Sequence, residues 1–133
     1  MTKLKNKQSK HGKFIKEHSQ SIENHDSMHL IFSFKNLQPN YCLSKCTTNE
    51  KAAFSDQLRI LGAKTWRELK QAPKHGIGFE KISNFKVAIP KNLENETFIA
   101  FRFDGKKPMV GYRCKQIFNI VYLDRNFTLY DHS

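Results

Sequence analysis

Three short runs with a side-chain period of two constrain this chain more than anything else in it: "TFIAFRF" (97–103), "PMVGYRC" (108–114) and "IFNIVYL" (117–123). In an extended strand successive side chains point to opposite faces, so each run has one face to bury and one to present. Asp104-Gly105 between the first two is a strong turn signal, although Lys106 and Lys107 make that connection read as longer than a two-residue hairpin. Lys115-Gln116 separates the second pair. Strands this close in sequence are predicted to pair antiparallel. A last short strand, "FTLYDH" (127–132), is predicted after a turn at Asp124-Arg125-Asn126.

Upstream the period changes. "MHLIFSFKNL" (28–37) reads as a first strand with Leu30, Phe32 and Phe34 on one face. Thr47 with Glu50, and then Thr65 with Glu68, have the spacing of a capping box, in which each residue satisfies an orphan amide at a helix start. Phe54, Leu58 and Leu61 follow the first box at helical spacing, with Gly62 placed as a stop. Trp66 and Leu69 follow the second, which Pro73 closes. "KHGIGFEKI" (74–82) reads as a loop entering a short strand, and residues 84–96 as a surface loop. The predicted fold is α+β: an antiparallel β-sheet meander with two consecutive N-terminal helices packed on one face.

Charge bounds the function. Lys and Arg number 23 against 12 Asp and Glu, for a formal charge of +11. Six lysines against three acids in residues 1–27 account for only +3 of it, so most of the charge belongs to the rest of the chain. Residues 1–27 are predicted to be a basic, disordered tail, and 28–133 a single domain. Such a field favours polyanions. Cys42, Cys46 and Cys114 have no second Cys/His pair at zinc spacing, so no metal is expected. Cys114 reads as a small core residue. The odd cysteine count and the lack of a long apolar run point to a cytoplasmic setting without membrane contact.

Alternation also nominates a site. If Ile99, Phe101 and Phe103 pack under the helices together with Val110, Tyr112 and Cys114, then Arg102, Arg113 and Lys115 project from an open face, which Tyr130 and His132 join from the last strand. Arginine clamps phosphate oxygens, and histidine can take or give a proton near neutrality. An open sheet face is polar in any case, so the same residues also fit a plain solvated surface.

The first strand, the two helices, the "P-x-x-G" loop at 73–76 and the run "FRF…GYR…IVYLDR…LY" resemble the RelE/ParE superfamily of bacterial toxin components. That resemblance implies a small bacterial or phage toxin: a metal-independent endoribonuclease, without cofactor, cutting messenger RNA, often on the ribosome. An antitoxin would hold it in check. Attack of the ribose 2′-OH on phosphorus would leave 2′,3′-cyclic phosphate ends. Arg102 and Arg113 would then stabilise the phosphorane, His132 would be the base or acid, and Tyr130 would orient or stack. Lys74, His75 and Lys81, with Lys115 and Arg125, would hold flanking RNA. The 27-residue tail and the long 84–96 loop depart from the family pattern. Two other functions are compatible with these features: a non-enzymatic nucleic-acid or ribosome-binding module, and a gyrase-type protein inhibitor on the same fold.

Overall fold

The computed structural model describes residues 25–131. The element order is strand β1 (Ile31–Ser33), helices α1 (Thr48–Gly62) and α2 (Trp66–Gln71), then strands β2 (Glu80–Ile82), β3 (Phe98–Asp104), β4 (Lys107–Cys114) and β5 (Ile117–Leu123). The protein is therefore α+β. Its sheet runs β1-β5-β4-β3-β2. Strands β2 to β5 form the expected antiparallel meander, but β1 lies parallel to β5, so the sheet is mixed and not purely antiparallel. Because β1 and β2 sit at opposite edges, the two helices between them must cross the sheet, and a crossover is what parallel pairing requires.

Both helices start where local chemistry dictates. Thr47 and Glu50 exchange hydrogen bonds of 2.7 and 3.1 Å, and Thr65 and Glu68 of 2.9 and 3.2 Å, so both capping boxes form. Gly62 is not a left-handed stop: it is the last helical residue, and Ala63 follows in a right-handed conformation. The helices pack on one face of the sheet. Phe54, Leu61, Trp66 and Leu69 meet Phe101, Met109, Phe118, Ile120 and Leu123 there.

The opposite face, expected to be open, is a second core. Phe98, Ala100, Val110, Tyr112, Val121 and Tyr122 are covered by Leu93, Phe85, Val87 and Ile89 from the long loop, and by Leu129 and Tyr130 from the chain end. The loop 84–96 is thus a cover and not a surface excursion. A bulge in β5 serves this arrangement: Val110 pairs with Tyr122 and Gly111 with Ile120, so Val121 is an extra residue. Val121 and Tyr122 both enter the second core, while Ile120 and Leu123 enter the first.

Further expectations are revised. The β3–β4 connection is the two residues Gly105 and Lys106, since Asp104 pairs with Lys107; Gly105 adopts φ +59°, which glycine reaches without a Cβ penalty. The final strand does not form beyond a single bridge between Phe85 and Tyr130. Its amides go elsewhere: the Asp124 carboxylate accepts from Thr128 N at 2.9 Å and from Leu129 N at 3.1 Å. Cys114, the last residue of β4, is exposed and not in the core. Of the predicted tail, residues 1–24 lie outside the described residues; within 25–27, Asp26 ion-pairs with Lys70 at 2.9 Å and with Arg113 at 2.7 Å. Among the described residues, no helix is long and apolar enough to cross a membrane.

Glu50 is a buried carboxylate that receives Lys107 Nζ at 2.9 Å. That ammonium, with the Thr47 amide, lowers the Glu50 carboxyl below its ordinary value of 4.5. A carboxyl lowered in the folded state stabilises above its unfolded pKa, and the stabilisation is lost as pH falls through the folded one. Glu50→Gln is expected to lower the melting temperature at pH 7 and to weaken the pH dependence of stability below about 4.5. Thermal melts from pH 3 to 7 on both proteins measure this; parallel curves across the acid range would contradict it.

Candidate nucleic-acid interface

The sharpest difference from the sequence reading concerns the two arginines. Phe101 lies opposite Met109 and Arg102 opposite Pro108, while Arg113 lies opposite Phe118. Met109 and Phe118 belong to the helix-side core, so Arg113 is on the helix side; Arg102 shares its face with Ala100 and Val110 of the second core. The arginines sit on opposite faces and at opposite ends of the hairpin. The cause is the register shift between Arg102 and Asp104, where Phe103 is an extra residue in β3, because register fixes which face each side chain takes.

Arg113 serves packing. Its guanidinium carbon lies 4.2 Å from the Trp66 ring centroid, and Nε donates to Lys115 O at 2.6 Å. Lys115 turns the β4–β5 hairpin at φ +58°, away from Arg102. Arg125 lies across the 124–130 return, where it donates to Asn40 O at 3.4 Å. His132 lies outside the described residues.

The remaining expected residues come together. Lys74, His75, Lys81, Arg102 and Tyr130 line one cleft of about 700 Å³ beside β2 and β3, with Lys106 and Phe127 also in its wall. Four fixed cations (Lys74, Lys81, Arg102 and Lys106) face two carboxylates, Glu80 and Asp131, so the lining is net positive. Lys74 already pairs with Glu80 at 3.3 Å. Lys74 and His75 are presented by a tight loop in which Pro73 O accepts from Gly76 N at 3.0 Å and Gly78 N at 2.9 Å. A Cβ on Gly78 would lie 2.3 Å from Ala72 O, so the loop closes this tightly only around glycine.

His75 and Arg102 are coupled directly. Arg102 donates to His75 O at 3.3 Å and meets His75 Nδ1 at 3.1 Å. A guanidinium has no acceptor, so in this contact Nδ1 can only accept. An anion that draws Arg102 to itself would free the Nδ1 lone pair. Tyr130 is buried in the cleft wall. Burial, with smaller contributions from Glu80 and Asp124, pushes its phenol up to about 12 against the opposing effect of Arg102. At neutral pH it is a proton donor and not a base.

Phe127 was not nominated by sequence. It is 41% exposed and holds φ +56°, a conformation unusual for a bulky residue. The Asp124 carboxylate, by tying down the two amides that follow, holds it there. An exposed aromatic in strained backbone at the rim of a basic cleft has the form of a stacking platform. A lone Phe in the polar turn "DRNFT" was the available signal. Among the described residues no group of three or more His, Cys, Asp or Glu is placed to hold a metal ion.

No family model, no curated protein and no solved structure matches the chain.

Proposed function

We propose that the cleft between β2, β3 and the 124–131 return binds a phosphodiester of single-stranded RNA and cleaves it by metal-independent transesterification, as in a RelE-like toxin. The single observation that carries this reading is the His75–Arg102 pair at the centre of a net-positive cleft. Arg102 and the lysines take the phosphate oxygens. With Arg102 drawn onto the phosphate, His75 Nδ1 accepts the 2′-OH proton while the 2′-oxygen attacks phosphorus. Charge building on the phosphorane is met by Arg102. The P–O5′ bond breaks, and the departing oxygen takes the proton of the Tyr130 phenol, leaving a 2′,3′-cyclic phosphate. Phe127 stacks on a neighbouring base. A strand–helix–helix–meander order and a basic cleft fit a toxin-type protein whose antitoxin covers that cleft.

Purified protein is expected to bind single-stranded RNA with an affinity that falls steeply with salt, the slope of log K against log[salt] being about −0.7 per phosphate neutralised. It is expected to leave 2′,3′-cyclic phosphate ends, mapped by sequencing of RNA termini with free RNA and with translating ribosomes. His75→Gln is expected to bind but not cut. Salt-dependent binding without product from the wild-type protein would make it a binding module, for which the lysines and Phe127 suffice. Neither binding nor product would end the RNA reading.

A further inference from the structure

A single buried carboxylate organises the sharp return that forms one wall of the cleft. Asp124 is 0% exposed. Its Oδ1 accepts from Thr128 N at 2.9 Å and from Thr128 Oγ1 at 3.4 Å, and its Oδ2 accepts from Leu129 N at 3.1 Å. The Asp124 amide donates to Pro108 O at 3.0 Å, and Pro108 lies opposite Arg102 and in the cleft wall. Asp124 therefore fastens the return at both ends, to the strand beside Arg102 and to the two residues that follow Phe127.

Phe127 is the residue that needs this clamp. At φ +56° its Cβ is crowded, and a free chain populates that conformation roughly tenfold less than the right-handed one. Tyr130 is anchored by other means: its backbone bridges to Phe85, and Leu129 O accepts from Lys86 N at 2.8 Å. Losing the carboxylate thus bears first on Phe127 and not on the phenol. Both carboxylate oxygens are needed. Asparagine has one acceptor oxygen and an NH₂ group, so at this position either Thr128 N or Leu129 N would face a donor.

We propose that Asp124 is a positioning residue of the RNA cleft: it holds Phe127 in the conformation that stacks on a base, so that the site is arranged before RNA arrives. The proposal rests on the RNA reading and adds to it a residue that touches no RNA. Only the fraction of molecules with Phe127 in place binds fully, so releasing Phe127 weakens binding by about the factor by which that fraction falls.

The test is a double-mutant cycle on the full chain, read by fluorescence anisotropy. The probe is a labelled single-stranded RNA oligonucleotide with a 2′-deoxy sugar at the cleavage position. Asp124→Asn is expected to raise Kd about tenfold. Phe127→Ala is expected to raise it about tenfold through lost stacking. The double variant is expected to bind no more weakly than Phe127→Ala alone. With cleavable RNA, Asp124→Asn is expected to raise KM and to keep kcat, a split that general loosening of the fold would not produce. A folded Asp124→Asn protein with the wild-type Kd, losses that multiply in the double variant, or a kcat that falls would each overturn the inference. If Arg102→Ala weakens binding and Asp124→Asn does not, the RNA reading stands and the role of Asp124 falls. A wild-type protein that binds no oligonucleotide ends both. Should Asp124→Asn fail to fold, Asp124→Asn/Phe127→Gly is expected to fold, because glycine takes φ +56° unaided. A double variant that also fails to fold would mean that the carboxylate serves the fold and not Phe127, and would overturn the inference.

Discussion

Arg102→Ala is expected to slow RNA cleavage about 10²–10³-fold, the usual cost of removing one group that meets developing charge in a transition state. It should do so with little change in stability. Arg102 is partly exposed at the cleft, and its contacts to His75, at 3.1 and 3.3 Å, are loose. The melting temperature is expected to move by less than about 4 °C. Arg113→Ala supplies the contrast. Its guanidinium stacks on Trp66 and ion-pairs with Asp26 at 2.7 Å, on the other side of the sheet from the cleft. Losing both is expected to cost about 1–2 kcal/mol of stability while cleavage by the folded fraction persists. Turnover assays paired with thermal melts on both variants separate the roles. An Arg113→Ala protein that is stable but inactive, beside an active Arg102→Ala protein, would reverse the assignment.

Gly111→Ala is expected to be the most damaging single-methyl change in the chain. Gly111 lies in β4 opposite the β5 bulge, and a Cβ there would fall 1.9 Å from Asn119 O and 2.8 Å from its carbonyl carbon. Both contacts are backbone, so no side-chain rotation relieves them. The clash can be removed only by parting the two central strands of the sheet, which also unseats Val121 and Tyr122 from the second core. A loss of about 3–5 kcal/mol is expected, a large fraction of the stability of a typical domain. Urea unfolding should show a much lower midpoint or a loss of cooperativity. A midpoint within experimental error of wild type would mean that the bulge is placed differently.

Legibility in the sequence followed the range of the interactions. The two capping boxes lie within four residues each, and both form where Thr47-Glu50 and Thr65-Glu68 place them. The antiparallel meander was legible from alternation. Its faces were not, because they depend on the irregularity between Arg102 and Asp104, and counting straight through it is an error that exchanges the two sides of β4. That error put Arg113 beside Arg102. The parallel pairing of Ile31–Ser33 with β5 joins segments more than eighty residues apart, with no local signal. The second core had half a signal, since Phe85, Val87 and Ile89 alternate; its other half, Leu129 and Tyr130, is remote in sequence. At the site, Lys74, His75, Lys81, Arg102 and Tyr130 were all nominated and do share a cleft. The His75–Arg102 contact was invisible, because it depends on how Pro73 folds the loop back over β3.

The proposed function places RNA in the cleft walled by His75, Arg102 and Phe127. Photo-crosslinking the full chain to a 4-thiouridine oligonucleotide carrying a 2′-deoxy sugar at the cleavage position, with adducts mapped by mass spectrometry, tests it most directly. Adducts are expected on the peptides holding His75 and Phe127, suppressed by Arg102→Ala. Adducts confined to α1 and α2, or unaffected by that substitution, would contradict it.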